Sequence, residues 1–148
     1  MNIYIYILDT LADWEIGYII AELNSGRFFK KGFDPLKIIK VGHSLDPIKT
    51  MGGLEIHPDK LLEQTQFKAN DILILPGADT WLDDVNIPVL GRVKGLLDQK
   101  ISVAAICGAT MAMANHGLLD SRKHTSNDKD YLKNCCPGYS GGSNYIQA

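Results

Sequence analysis

Apolar positions along this chain switch repeatedly between two periods. Ile3, Ile5 and Ile7 alternate with Tyr4 and Tyr6, so Ile3 to Leu8 is an unbroken apolar run dominated by β-branched and aromatic residues, as in a strand buried on both faces. From Asp13-Trp14-Glu15 onward the period lengthens. Ile16, Ile19, Ile20 and Leu23 share one helical stripe, and Asn24, Ser25 and Gly26 stop it. Leu36 to Gly42 predicts a second strand, and Thr50 to Pro58 a turn with a short strand that suits a small hairpin. Asp59 to Gln66 predicts a short helix, Asp71 to Leu75 a buried strand closed by Pro76-Gly77, and Trp81 to Asp84 a polar loop. Val89, Leu90, Val93, Leu96 and Leu97 then mark a helix across Ile87 to Asp98. It leads into a last apolar run, Ile101 to Cys107, expected to be a buried strand, and Ala109 to Asn115, rich in Ala and Met, predicts the helix after it. Beyond Leu119 the pattern weakens to a short strand at Lys123 to Asn127, a short helix at Asp128 to Asn134, and a loop-like tail after Pro137.

Strand and helix in alternation, with continuous rather than alternating apolar strands, predict a parallel sheet covered by helices on both faces. The expectation is a single doubly wound α/β sandwich over residues 1–148. A chain of 148 residues is enough for one core. With 15 Lys and Arg against 17 Asp and Glu, the net charge of −2 supplies no basic face for nucleic acid. No apolar run approaches the ~20 residues that span a bilayer, and the N-terminus lacks the basic start and small-residue cleavage site of a signal peptide. A cytoplasmic protein with no membrane or nucleic-acid partner is therefore expected. Three cysteines, two of them adjacent at Cys135 and Cys136, make no disulfide framework and lack zinc-site spacing. No metal or organic cofactor is indicated.

In parallel α/β sheets ligands bind beyond the carboxyl ends of the strands, which directs attention to the residues that follow each run. These are Asp13-Trp14-Glu15, Pro76-Gly77-Ala78-Asp79 and Cys107-Gly108, all on one rim. Cys107 ends a strand and precedes a helix, where unpaired backbone N–H groups favour a thiolate; the same residue reads equally as a small core side chain. Glu15 is the candidate carboxyl to hydrogen-bond that sulfur, against a solvated first-turn glutamate. Gly77 lets backbone N–H groups approach a developing oxyanion, against an ordinary turn glycine. Of the four histidines, His43 and His57 flank the hairpin and His116 closes the helix after the cysteine. His124 can return to the rim, with Asn127 as its alternative there. The loops around Met51, His57 and Trp81 are the expected cleft walls.

Taken together, Ala12-Asp-Trp-Glu15, Leu73-Ile-Leu-Pro-Gly77, Ala104-Ala-Ile-Cys-Gly-Ala-Thr110 and Gly117-Leu-Leu-Asp-Ser-Arg-Lys-His-Thr-Ser-Asn127 resemble the ThiJ/PfpI family of the class I glutamine amidotransferase-like superfamily. The resemblance runs over essentially the whole chain. It implies a flavodoxin-like three-layer sandwich, a nucleophile-elbow cysteine at Cys107, a carboxyl partner at Glu15, oxyanion N–H groups from Gly77 or Ala78 and Gly108, and a homodimer. Two departures stand out. Many relatives carry a histidine at the position of Asn127, or directly after the cysteine where this chain has Gly108. Relatives also continue with further strands and a terminal helix, so the chain reads as shortened at Ala148. The resemblance implies a cysteine-dependent hydrolase, amidase- or protease-like, or a glyoxalase-like enzyme on a small carbonyl or amide substrate. Two alternatives stay open: a stress sensor in which Cys107 oxidises to a sulfinate, and a non-catalytic partner-binding domain.

Overall fold

Five parallel strands form the centre of the computed structural model, which describes residues 1–126, 128–136 and 138. In chain order the elements are β1 (Ile3–Tyr6), α1 (Asp13–Ser25), β2 (Ile38–Gly42), β3 (Ile48–Lys49), β4 (Glu55–Ile56), β5 (Lys60–Leu61), β6 (Ile72–Leu75), α2 (Ile87–Asp98), β7 (Ser102–Ala105), α3 (Gly108–Asn115) and α4 (Lys129–Cys135). The main sheet runs β5-β2-β1-β6-β7, with Ile3 opposite Ile38 on one side and Ile72 on the other. β1 has a strand on each edge, and all four of its residues are buried, as the unbroken apolar run predicts. The chain steps one way from β1 to β2 and the opposite way from β6 to β7. Right-handed crossovers therefore place α1 and α2 on opposite faces, and the step reverses between the adjacent strands β1 and β6. This is the flavodoxin-like α/β architecture.

The core follows the stripes read from the sequence. Ile16 of α1 and Val89, Leu90, Val93 and Leu96 of α2 are buried against the sheet. The Gly26 N–H donates to the Glu22 carbonyl at 2.9 Å and ends α1 where the apolar stripe stops. Tyr4 packs on Phe67 with ring centroids 4.4 Å apart, and Tyr6 on Trp81 at 5.4 Å, spacings typical of aromatic pairs in a core. The hairpin at Thr50–Pro58 is present as the antiparallel pair β3 and β4, with Ile48 opposite Ile56.

Four local expectations are corrected. Asp59 to Gln66 is not a helix: Asp59 exchanges bonds with Lys40, and the Leu62 N–H donates to the Gly42 carbonyl at 2.9 Å. The segment is thereby stretched along the edge of β2 as β5. Tertiary pairing here overrides local propensity. Trp81 to Asp84 is not a polar loop but overlaps two 3-10 turns, Asp79–Leu82 and Asp84–Asn86, that bury Trp81 to 1% exposure. β7 is not buried on both faces. It is the edge strand of the described sheet, and Ser102 and Ala104 face outward. Lys123 to Ser126 forms no strand, while Asn127 and the tail beyond Gly138 lie outside the described residues. The short helix expected at Asp128 to Asn134 is present as α4, its first turn capped by the Asp128 carboxylate, which accepts the Tyr131 N–H at 2.8 Å.

Candidate functional site

Where β1 and β6 part, the segments that follow β1, β6 and β7 meet around a cleft of about 390 Å3. After β1 the chain turns sharply at Thr10, which has φ 62, a conformation that is strained for a β-branched residue. Hydrogen bonds hold it there. The Thr10 N–H donates to the Lys49 carbonyl at 2.8 Å, and Thr10 Oγ1 accepts the N–H groups of Asp79 at 2.9 Å and Thr80 at 3.3 Å. The Thr80 hydroxyl in turn donates to the Asp9 carbonyl at 2.7 Å. One turn thus ties the exit of β1 to the exit of β6.

A second tie lies inside the cleft. The Ala12 N–H donates to the Gly77 carbonyl at 2.9 Å, and the Gly77 N–H donates to Glu15 Oε2 at 2.6 Å. Glu15 is half-buried in the first turn of α1, where the helix dipole favours a carboxylate. Gly77 is a close-approach glycine. A Cβ at that position would stand 2.7 Å from Glu15 Oε1 and 3.0 Å from Cβ of Cys107, so the two side chains flank a gap that only glycine leaves open.

Cys107 occupies the turn between β7 and α3 at φ 51 and ψ −118, an unusual conformation for a residue other than glycine. Bonds on both sides enforce it. The Ile106 N–H donates to the Leu75 carbonyl at 3.0 Å, extending the β6 pairing, and the Cys107 carbonyl already accepts the Thr110 N–H at 3.0 Å. Gly108 is needed for a similar reason as Gly77, because a Cβ there would lie 2.9 Å from the Ala78 carbonyl oxygen. The thiol-bearing residue is therefore presented at the N-terminus of α3, beside Gly77, Ala78 and Gly108, and half-buried.

The hairpin of β3 and β4 supplies another wall. The Asp13 carboxylate accepts the Gly52 N–H at 2.6 Å, and the Met51 N–H donates to the Leu11 carbonyl at 3.0 Å, so Met51 overhangs the cleft. The Thr50 hydroxyl and the Gly52 N–H hold the Asp13 carboxyl below its ordinary range. Beneath the floor, the Tyr6 hydroxyl donates to Asn86 Oδ1 at 2.7 Å, Asn86 Nδ2 donates to the Thr80 carbonyl at 2.7 Å, and Trp81 Nε1 donates to the Pro76 carbonyl at 2.7 Å. Burial pushes the Tyr6 phenol up.

Cys107, Glu15, Gly77, Ala78 and Gly108 are brought together, as is Met51. Trp81 and His57 are not on the cleft: Trp81 lies under it, and His57 Nε2 sits 3.4 Å from the Glu55 carboxylate on β4. His124 also lies off the lining, with Nδ1 2.9 Å from the Arg122 carbonyl, and Asn127 falls outside the described residues. Among the described residues no histidine lines the cleft. Leu82, Met111 and Tyr131 also line it and were not anticipated. Met111 was the accessible one, one helical turn after Cys107.

The model of the DJ-1/PfpI family matches residues 1–146. The chain is 48% identical to the uncharacterized protease YoaZ of Bacillus subtilis, covering 97% of this chain and 69% of that one. Over 59% of its length it is 30% identical to a glutathione-independent glyoxalase of Caenorhabditis elegans, covering 47% of that protein. The crystal structure of a thiJ/pfpI family protein from Bacillus anthracis superposes with a TM-score of 0.87 at 52% identity, over 95% of this chain and 66% of that one. The chain thus spans about two thirds of the length of YoaZ and of the Bacillus anthracis protein.

Proposed function

The chain belongs to the DJ-1/PfpI family, and from that premise we propose that it is a cysteine-dependent enzyme acting on small amides or carbonyls, hydrolase- or glyoxalase-like as its relatives' names suggest. The observation that carries the reading is Cys107 held at φ 51 on a strand-to-helix turn, across Gly77 from the Glu15 carboxyl. The Cys107 sulfur adds to the carbonyl carbon and the carbonyl π pair moves onto oxygen. The Gly77 N–H is engaged by Glu15, so the N–H groups of Ala78 and Gly108 are assigned to that oxygen. Glu15 accepts the thiol proton and returns it. With an amide the proton goes to the departing amine, and water then cleaves the thioester; with a 2-oxoaldehyde it goes to the new hemithioacetal oxygen, the substrate's own C1 proton is then moved to C2 to leave a thioester, and water releases the hydroxy acid and the thiol.

The test is turnover of small peptide amides and of methylglyoxal by the wild-type chain, Cys107→Ala and Glu15→Gln. Cys107→Ala is expected to lose about a thousandfold or more of the activity on whichever class is turned over. Glu15→Gln is expected to lose about a hundredfold, mainly in kcat. Turnover that persists unchanged in Cys107→Ala overturns the proposal.

A further inference from the structure

Among the described residues the cleft carries charge of only one sign. Its ionisable lining groups other than the thiol and the Tyr131 phenol are the carboxyls of Glu15, Asp79 and Asp128; among the described residues no Lys, Arg or His lines it. The remaining wall is largely apolar, with Trp14 and Met51 on the α1 and hairpin side and Leu82, Met111 and Tyr131 on the other. Asp79 and Asp128 are exposed at the rim: the Asp79 backbone is held through its N–H by Thr10, and the Asp128 carboxylate is held by capping α4. Tyr131 directs its hydroxyl to Met111 Sδ at 3.0 Å, which leaves the ring as wall. Trp14 is 68% exposed and offers an aromatic face at the mouth.

Apolar walls lower the local dielectric and concentrate the field of the carboxylates along the route to the sulfur. A ligand bearing a carboxylate or phosphate meets repulsion there and, among the described lining residues, finds no cation to pair with. A neutral ligand with an apolar group loses nothing, and a cationic one gains both the carboxylates and the Trp14 face. We infer that Cys107 is selective by charge: its cleft takes neutral or cationic carbonyl and acyl compounds with an apolar group, and rejects anionic ones. This rests on the reading of Cys107 as the reacting group. The rejection comes from the repulsive element, which distinguishes it from a preference set by fit alone.

The experiment measures the rate of Cys107 alkylation, read by mass spectrometry of the Cys107 peptide so that Cys135 and Cys136 do not contribute. Three probes transfer a one-carbon-linked group to sulfur with loss of halide: iodoacetamide, iodoacetate and a haloacetamide carrying a trimethylammonium group. Each rate is divided by that of the same probe with a small thiol in solution, which removes intrinsic reactivity. At low salt the normalised acetamide-to-acetate ratio is expected to be about tenfold or more above unity, with the cationic probe the fastest. Asp79→Asn combined with Asp128→Asn is expected to bring the ratio down severalfold. Asparagine still caps α4, and wild-type protein in about 1 M salt, where screening acts over ~3 Å, gives an independent reading of the same loss. Normalised rates that are equal for all three probes, or a ratio that neither the double variant nor salt moves, overturn the inference. Turnover is scored separately. Charge selectivity with turnover that survives Cys107→Ala removes the proposed function and leaves the selectivity; Cys107-dependent turnover without selectivity does the reverse.

Discussion

Gly77 sits between the two side chains on which the proposed chemistry depends, and its missing side chain sets their separation. A methyl group there meets Glu15 Oε1 at 2.7 Å, closer than real Cβ contacts allow, and Cys107 Cβ at 3.0 Å, tighter than nearly all of them. Gly77→Ala is therefore expected to slow Cys107 alkylation by iodoacetamide about tenfold while the far-ultraviolet circular dichroism spectrum is retained; an unchanged rate would show that the gap is not needed. Thr10 makes a different point at the same scale. Its Oγ1 accepts two backbone N–H groups while its own backbone is strained, so the side chain offsets the cost of its conformation. Thr10→Ala leaves both donors without that acceptor and is expected to lower stability by about 1–2 kcal/mol in urea denaturation, while Thr10→Ser, which keeps the oxygen, recovers most of it. Neither role is visible in the sequence. Thr10-Leu11 after a strand looks ordinary, because the donors it serves are 69 and 70 residues away.

Asp71 shows how one carboxylate registers two elements. It stands just before β6, and its oxygens accept the Asn2 N–H at 2.7 Å and the Lys68 N–H at 2.9 Å, joining the start of β1 to the start of β6. Burial pushes its carboxyl up, but the N–H bonds from Lys68 and Asn2 outweigh that and hold it below the ordinary 3.8. A carboxyl whose folded value is lowered contributes stability that is complete above its unfolded value and disappears as pH falls through the folded one. Asp71→Ala is accordingly expected to cost about 2 kcal/mol at pH 7. In urea titrations the gap between wild type and variant should close below the ordinary 3.8; a gap that persists in acid would mean the loss is one of packing. Element assignment from the sequence was sound wherever the apolar period was long, as in β1, α1, β6 and α2. It failed at Lys123 to Ser126, which forms no strand, and at β5 and the two 3-10 turns, where Leu62 and Trp81 are buried by partners that lie elsewhere in the chain.

At the scale of the whole molecule the two tryptophans report on different places. Trp81 is 1% exposed in the core beneath the cleft, and Trp14 is 68% exposed at its mouth. Acrylamide quenching should resolve two components. Trp81→Phe is expected to remove the protected, blue-shifted one, and Trp14→Phe the quenchable one. Alkylation of Cys107 with a bulky neutral reagent should alter only the Trp14 signal. A single quenching constant in the wild-type chain would contradict this arrangement.

What the sequence by itself determined is the layered architecture and the identity of most cleft residues. Continuous apolar strands alternating with helical stripes allow few folds, and in such folds the residues just past the strands share one rim. Glu15, Gly77, Ala78, Cys107 and Gly108 were legible for that reason, and the structure brings them to one cleft. Tertiary structure alone decided the rest. Whether His124 joins that rim depends on the path of a segment with no apolar period to define it, and the structure turns its ring toward the Arg122 carbonyl. The Glu15–Gly77 bond, the strain at Thr10 and Cys107, and the gathering of the Glu15, Asp79 and Asp128 carboxyls at one cleft depend on groups far apart in the chain being brought together. Local pattern carries no record of such distances; only the closed sheet sets them.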